Sequence, residues 1–301
     1  MTYPIVEIPE DAPAQLEQLG TKNKFWYRNE NGQRMMFKRG RPGTGENWAE
    51  KVCCEICRLL DIPHAEYGLA VWKDQSGVVT PTFVPKGGRL VLGNELLARI
   101  VDDYDRTARF RARQHTVRTV MAVASSKAIA FPMDWNPPES ITDAAGVFVG
   151  YLMLDALVSN QDRHHENWGV IFLPGEGVFL APTFDHASSL GRNETDAART
   201  DRLTTKDKGR SVDAYVARAK SAFYATHSST KSLTTLDAFR EAAKIRPEAA
   251  NHWVGQLAGV SMKSCRKILA EIPDTEILTP ARDFAVRMIE INASRILQTS
   301  L

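Results

Sequence analysis

Residues 144–191 read AAGVFVGYLMLDALVSNQDRHHENWGVIFLPGEGVFLAPTFDHASSLG, and the order of apolar and polar runs in this stretch decides the fold. Val147 to Val158 is apolar on nearly every side of a helix, with Asp155 its chief interruption. A helix apolar all round is a buried one. NQDRHHEN, from Asn160 to Asn167, follows without a single apolar residue. Next come an apolar strand-like piece from Trp168 to Leu173, a turn at Pro174-Gly175-Glu176-Gly177, and a second strand-like piece from Val178 to Ala181. Beyond Pro182 stand a carboxylate, Asp185, and an imidazole, His186. A buried helix and a hairpin thus carry two polar clusters at their ends, which is how a rigid scaffold presents chemistry.

The residue types narrow that chemistry. Asp162 and Asn167 are five positions apart, the separation of Asp and Asn in a protein-kinase catalytic loop. Magnesium takes hard oxygen ligands, and Asn167 and Asp185 offer them. A metallohydrolase competes, because His164, His165, Asp185 and His186 suit zinc or iron. Against it, adjacent His164 and His165 point apart on a helix or a strand, and no H-E-x-x-H pattern is present. Capping and ion pairing alone would explain one polar loop, but two clusters on consecutive elements favour a nucleotide–metal site.

The loop Asn160-Gln161-Asp162-Arg163-His164-His165-Glu166-Asn167, followed by Pro182-Thr183-Phe184-Asp185, resembles the HipA-like kinases. More distantly it resembles the phosphatidylinositol kinases. Their catalytic loops read N-x-D-R-H-x-x-N and are followed by P-x-[YF]-D. The order Asp-Arg-His, and His-Ala after Asp185, set the chain apart from the ordinary eukaryotic kinase signature.

The 301 residues are 43% hydrophobic and 25% charged, ordinary for a soluble globular chain of one large or two smaller domains. A net charge of +2 is too small to point to nucleic acid as a direct partner. The longest apolar stretch, around Val147 to Leu154, is far short of a membrane span. The N-terminus, MTYPIVEIPEDAP, has no basic-then-apolar signal pattern. Four cysteines, three of them bunched, give no disulfide framework, so a reducing cytoplasm is expected. Cys53, Cys54 and Cys57 fall in the helical run WAEKVCCEICRLLD and read as core packing.

Ahead of the central stretch, a short helix is expected around Ala14 to Leu19. Two strands, Lys24–Tyr27 and Arg34–Lys38, flank an Asn-Gly turn. A glycine-bearing loop, Gly40 to Asn47, opens a helix from Trp48 to Leu60 with Thr44 or Asn47 as its cap. It lacks the P-loop pattern. Strands are expected at Tyr67–Trp72 and Val78–Val84, separated by a turn over residues 73–77. From Leu96 the chain turns helical, with a basic run (Arg106, Arg109, Arg111, Arg113, Arg118) read as a solvated face and a helix from His115 to Ala130. Residues 191–210 read as a long polar loop, and the remainder as amphipathic helices carrying Phe284, Met288, Ile289, Ile296 and Leu297.

The resemblance implies an α+β, two-lobed protein-kinase-like fold. A small antiparallel β lobe with one helix spans residues 1–85 and binds nucleotide; a larger, mostly helical catalytic lobe spans 86–301. In this reading Asp162 is the catalytic base, braced by Arg163 and His164. Asn167 and Asp185 hold Mg2+, Lys38 grips the phosphates of ATP, and Glu50, preferred to Glu55, pairs with Lys38. Phe83 and Val84 form the adenine hinge before Pro85. The phosphate-covering loop falls at either residues 20–24 or 40–46. The place expected for it, Gly20-Thr21-Lys22-Asn23, is not glycine-rich. Thr195, Thr200, Thr204, Thr205 and Ser211 are candidate autophosphorylation sites.

The implied activity is ATP- and Mg2+-dependent phosphoryl transfer to serine or threonine of a protein substrate, in the manner of a toxin-type kinase with an antitoxin partner. The chain reads as a minimal form without the extra N-terminal subdomain of larger HipA proteins. The alternatives are a nucleotide-binding pseudokinase, a lipid kinase, for which no basic amphipathic helix is visible, and the metallohydrolase.

Overall fold

The computed structural model describes residues 2–12, 15–19 and 22–299. The first part of the chain holds β1 (Ile5–Glu7), β2 (Gln15–Leu19), β3 (Lys22–Arg28), β4 (Arg34–Arg39), helix α1 (Glu46–Leu59), β5 (Gly68–Trp72) and β6 (Gln75–Pro81). Among the described residues these strands make one sheet in the order β1-β5-β6-β4-β3-β2. The expected hairpin is present, with Phe25 opposite Phe37 and Lys24 opposite Lys38. Its alternation puts Phe25, Tyr27 and Phe37 on one face, where they pack with Ile8, Ala70 and Val79. The turn between β5 and β6 is tighter than expected: Lys73 and Asp74 both take positive φ, the conformation of a two-residue hairpin.

Two local expectations are corrected here. Gln15–Leu19 is a strand, paired residue for residue with β3 from Gln15 opposite Trp26 to Leu19 opposite Lys22; Ala14 lies outside the described residues. Five helical residues would leave most of their backbone groups unpaired, whereas the open edge of β3 satisfies them. The sheet also gains β1, parallel to β5 at the other edge. Helix α1 is capped by neither Thr44 nor Asn47 but starts after Gly45, without a side-chain cap. There a Cβ would lie 2.3 Å from the indole of Trp48, so glycine lets the loop press onto that ring. Glu46 in the first turn accepts the Arg41 N–H at 3.0 Å.

The chain continues through β7 (Arg89–Leu92), α2 (Gly93–Ile100), α3 (Val117–Ala124), β8 (Ile129–Ala130), α4 (Ala144–Val158), β9 (Gly169–Leu173) and β10 (Gly177–Leu180). These strands form a second sheet, β7-β9-β10-β8. Beyond it lie α5 (Asp196–Thr204), α6 (Val212–Ala217), β11 (Lys220–Tyr224), β12 (Ser232–Thr234), α7 (Thr235–Ile245), α8 (Pro247–Gly259), α9 (Met262–Ala270) and α10 (Thr279–Leu297). The hairpin read at 168–181 is β9 and β10, paired antiparallel.

The helix expected from His115 to Ala130 is only α3. Thr116 stays extended and caps it by accepting the Thr119 N–H, and β8 takes the end of the predicted span. Residues 191–210 are not all loop, because Thr195 caps α5 through the Ala198 N–H. No helix among the described residues is long and apolar enough to cross a membrane.

Helix α4 is the axis of the larger lobe: all fifteen of its residues are buried, and α3, α7, α8 and α10 surround it. Asp143 caps it, accepting the Gly146 N–H at 2.8 Å. One turn on, Gly150 faces the fully buried Trp253, whose indole N–H donates to the Gly146 carbonyl at 2.8 Å. A Cβ at Gly150 would sit 2.6 Å from that ring. Alanine favours helix over glycine by about 1 kcal/mol, but overpacking a core costs about 1–3 kcal/mol. Gly150→Ala should therefore lower stability to urea, and a variant as stable as the parent would show that Trp253 can move aside.

Candidate active site

The polar loop after α4 is built around one buried ion pair. Asp155, the lone carboxylate of the apolar helix, receives Arg163 Nε on Oδ2 and Arg163 Nη2 on Oδ1, both at 2.8 Å. Arg163 is fully buried and Asp155 nearly so. Asn160 Nδ2 also donates to Asp155 Oδ1 at 2.8 Å, and Arg163 Nη1 donates to the Asn167 carbonyl at 2.9 Å. Asn167 Nδ2 closes the circuit on the Asp162 carbonyl at 2.8 Å. The guanidinium thus ties both ends of Asn160–Asn167 to the core helix. Sequence reasoning left Asp155 off the site; the signal available was a charge inside an otherwise apolar helix.

That scaffold sets Asp162 at the edge of an open cavity of about 350 Å3 lined also by His164, Arg41, Arg109, Ser188 and Arg192. Ser188 Oγ donates to Asp162 Oδ2 at 3.1 Å. The Glu166 N–H donates to His164 Nδ1 at 3.1 Å, so the imidazole carries its proton on Nε2, which lies 3.4 Å from Asp162 Oδ1. Burial lowers the pKa of His164 below the ordinary histidine value. His164 is therefore a neutral imidazole that packs beside the Asp162 carboxylate. Arg109 belongs to the basic run read as solvated, yet it lines this cavity and pairs with Glu166 at 2.6 Å.

The second cluster joins the two sheets' neighbourhoods. Lys38 at the end of β4 is buried, with Nζ 2.5 Å from Asp185 Oδ1 and 3.7 Å from Glu50 Oε2. Burial alone would lower the pKa of this ammonium; Asp185 and Glu50 outweigh it and hold it above the usual lysine range. Glu50 also accepts the His186 N–H on Oε1 at 2.6 Å, which fixes α1 to the residue after Asp185. Glu55 faces elsewhere and pairs with Lys51 and Arg58, each at 2.5 Å. Asp185 adopts φ +57°, a conformation sparsely populated by non-glycine residues, and its N–H donates to the Tyr67 hydroxyl at 3.3 Å.

Phe83 and Val84 follow β6. Phe83 stacks on Phe184 with ring centroids 5.6 Å apart, and the Val84 N–H donates to Thr82 Oγ1 at 3.3 Å. Among the described residues, His164, His165, Asp185 and His186 do not gather into a metal-ligating group. His165 turns away from His164 and bonds the Tyr104 hydroxyl through Nδ1 at 2.7 Å. His186 bonds Thr183 Oγ1 through Nε2 at 2.8 Å. The hydrolase ligand set is thereby dispersed. Of the two candidate phosphate-covering stretches, Gly20 and Thr21 lie outside the described residues.

The sequence matches the HipA-like C-terminal domain family over residues 17–264. The chain belongs to that family. In fold it is similar to the proinflammatory kinase CtkA of Helicobacter pylori, with 18% identity and a TM-score of 0.76 over 99% of this chain and 100% of that one. It is also similar to Shewanella oneidensis HipA, solved with HipB and operator DNA as a toxin–antitoxin system. There the identity is 12% and the TM-score 0.52, over 100% of this chain and 70% of that one. A comparison with curated proteins gives no match. The expected family and the α+β kinase-like fold are both borne out.

Breaking a buried pair by removing one partner costs about 3–5 kcal/mol. Asp155→Ala should therefore lose about that much stability to urea, far more than a surface aspartate; a loss under about 1 kcal/mol would mean that the loop does not hang on this pair. Burial also depresses the pKa of His115 to about 3 and of His165 to about 4. The unfolded chain takes up these protons near pH 6.5, so stability is complete above that pH and falls on acidification toward pH 4. The melting temperature should drop across this window with a slope of at least about two protons, since burial also lowers the pKa of His164 and His64, and His115→Asn should remove about one.

Proposed function

We propose that this HipA-like chain transfers the γ-phosphoryl group of ATP to a serine or threonine hydroxyl of a protein. The observation that carries the reading is Asp162, fixed by the Arg163-centred loop and held by Ser188, with neutral His164 beside it, at the edge of an open cavity. Ser188 joins Asp162 to the segment that bears Asp185. Asp162 accepts the hydroxyl proton as the acceptor oxygen attacks. Lys38, kept cationic by Asp185 and Glu50, meets the phosphates, and Glu50 holds it in register with His186.

The donor set fits magnesium: Asp185 supplies a carboxylate, and Asn167, with its amide nitrogen already used, supplies a carbonyl oxygen. An ion held by these two would neutralise charge on the phosphates. Phe83 and Val84 serve as the adenine hinge, and the boundary between nucleotide-binding and catalytic lobes falls after Pro85. Family membership supports a cytoplasmic, toxin-type kinase with an antitoxin partner.

Asp162→Asn should cut phosphoryl transfer about 10²–10⁴-fold while ATP and magnesium still raise the melting temperature. Asp185→Ala should lose the magnesium-dependent part of that rise, measured against ATP with EDTA. A parent protein whose melting temperature neither ATP with magnesium nor ATP alone shifts would reject phosphoryl transfer.

A further inference from the structure

Three side chains converge beside α1, one from the helix and two from ten and twelve positions further along the chain. Cys54 comes from the helix, and His64 and Glu66 come from the segment that leads into β5. Their ligand atoms all lie within 4.8 Å of one another. The Glu66 carboxylate sits between the other two, with Oε1 3.4 Å from His64 Nε2 and Oε2 3.7 Å from Cys54 Sγ. Zinc bonds of about 2.3 Å to sulfur and about 2.0–2.2 Å to nitrogen and oxygen put tetrahedral ligands about 3.3–3.7 Å apart. Each separation fits, one to each oxygen of the Glu66 carboxylate.

The surroundings fit as well. His64 Nδ1 lies 2.7 Å from the Ile62 carbonyl, which fixes its proton there and leaves the Nε2 lone pair free. That nitrogen is buried and makes no hydrogen bond. A histidine tied through one nitrogen to a backbone carbonyl is the usual outer support of a metal ligand. Cys54 Sγ accepts the Tyr67 N–H at 3.4 Å, a bond that favours thiolate over thiol. Arg58 Nη2 holds Glu66 Oε2, and the half-exposed carboxylate leaves a path for the ion and for water as fourth ligand.

We propose that Cys54, His64 and Glu66 form a transition-metal site suited to zinc. Thiolate and imidazole select zinc over magnesium, so this site is chemically distinct from the Asn167–Asp185 pair. A divalent ion with one thiolate and one carboxylate is neutral overall.

The site would also act as a clamp. The Ala65 N–H donates to the Thr183 carbonyl and the Thr183 N–H to the Pro63 carbonyl, each at 2.9 Å, and Tyr67 receives the Asp185 N–H. An ion here would pin α1 against the segment that carries Thr183 and Asp185.

Cobalt titration of the full chain, after chelator treatment, tests this. One equivalent should produce a thiolate-to-cobalt charge-transfer band that zinc abolishes, and zinc should raise the melting temperature. Cys54→Ser should remove the band. His64→Gln, and Glu66→Gln on the exposed rim, should each weaken zinc binding at least about tenfold. Asp185→Ala should keep the band. Absence of the band from the parent chain, or its survival in Cys54→Ser through another thiol, would overturn the proposal.

Discussion

The structure depends on one charge pair inside an apolar helix. Burying Asp155 and Arg163 carries a desolvation penalty that apolar side chains of the same size would not. What it gives in return is position. A guanidinium has five donors in a rigid plane. Here they reach Asp155 on the helix and the Asn167 carbonyl at the far end of the loop. An apolar residue at 163 would fill the space but would leave Asn160 to Asn167 free to choose among conformations. The helix end reinforces the constraint: Ser159 takes a left-handed turn, and Asn292 of α10 donates to both the Leu157 carbonyl and Ser159 Oγ. The core of the larger lobe thus dictates where Asp162 lies.

The smaller lobe is tied to that core through Glu50. One of its oxygens holds the His186 N–H and the other faces Lys38, whose ammonium rests on Asp185. Moving α1 outward would cost Glu50 a buried hydrogen bond and leave Lys38 with one carboxylate instead of two. The left-handed backbone at Asp185 is sustained by these contacts and by Tyr67. Helix α1 and the Asp185 turn therefore behave as one mechanical unit.

Much of this was legible in sequence because it is local. The Asp162–Asn167 spacing, the hairpin that follows and the all-apolar run of α4 are periodic or contiguous features. What escaped is set by partners far away in the chain. Gln15–Leu19 reads equally as helix or strand until the edge of β3 is known. Asp155 is an anomaly whose meaning lies eight residues on, at Arg163. The basic run gave no hint that Arg109 would turn toward Glu166 while its neighbours stay irregular. Cys54 reads as packing because its C-x-x-C with Cys57 has no second C-x-x-C to complete it, and no local pattern points to His64 and Glu66. The dispersal of His164, His165 and His186 was anticipated only in part, from the opposite directions of adjacent side chains.

Two buried bases in the cleft show how neighbours decide charge. Burial pushes Lys38 and His164 alike toward the neutral form. Lys38 has two carboxylates within 3.7 Å and remains an ammonium. His164 has a backbone N–H at Nδ1, which uses its lone pair and leaves no site for a second proton. Its one carboxylate contact, to Asp162, is longer, and its pKa falls. The result is a fixed cation resting on Asp185 and a neutral imidazole beside Asp162, the base of the proposed transfer. A cationic His164 would stabilise the Asp162 carboxylate and weaken it as a base. The same desolvation, acting on different neighbours, separates the two roles.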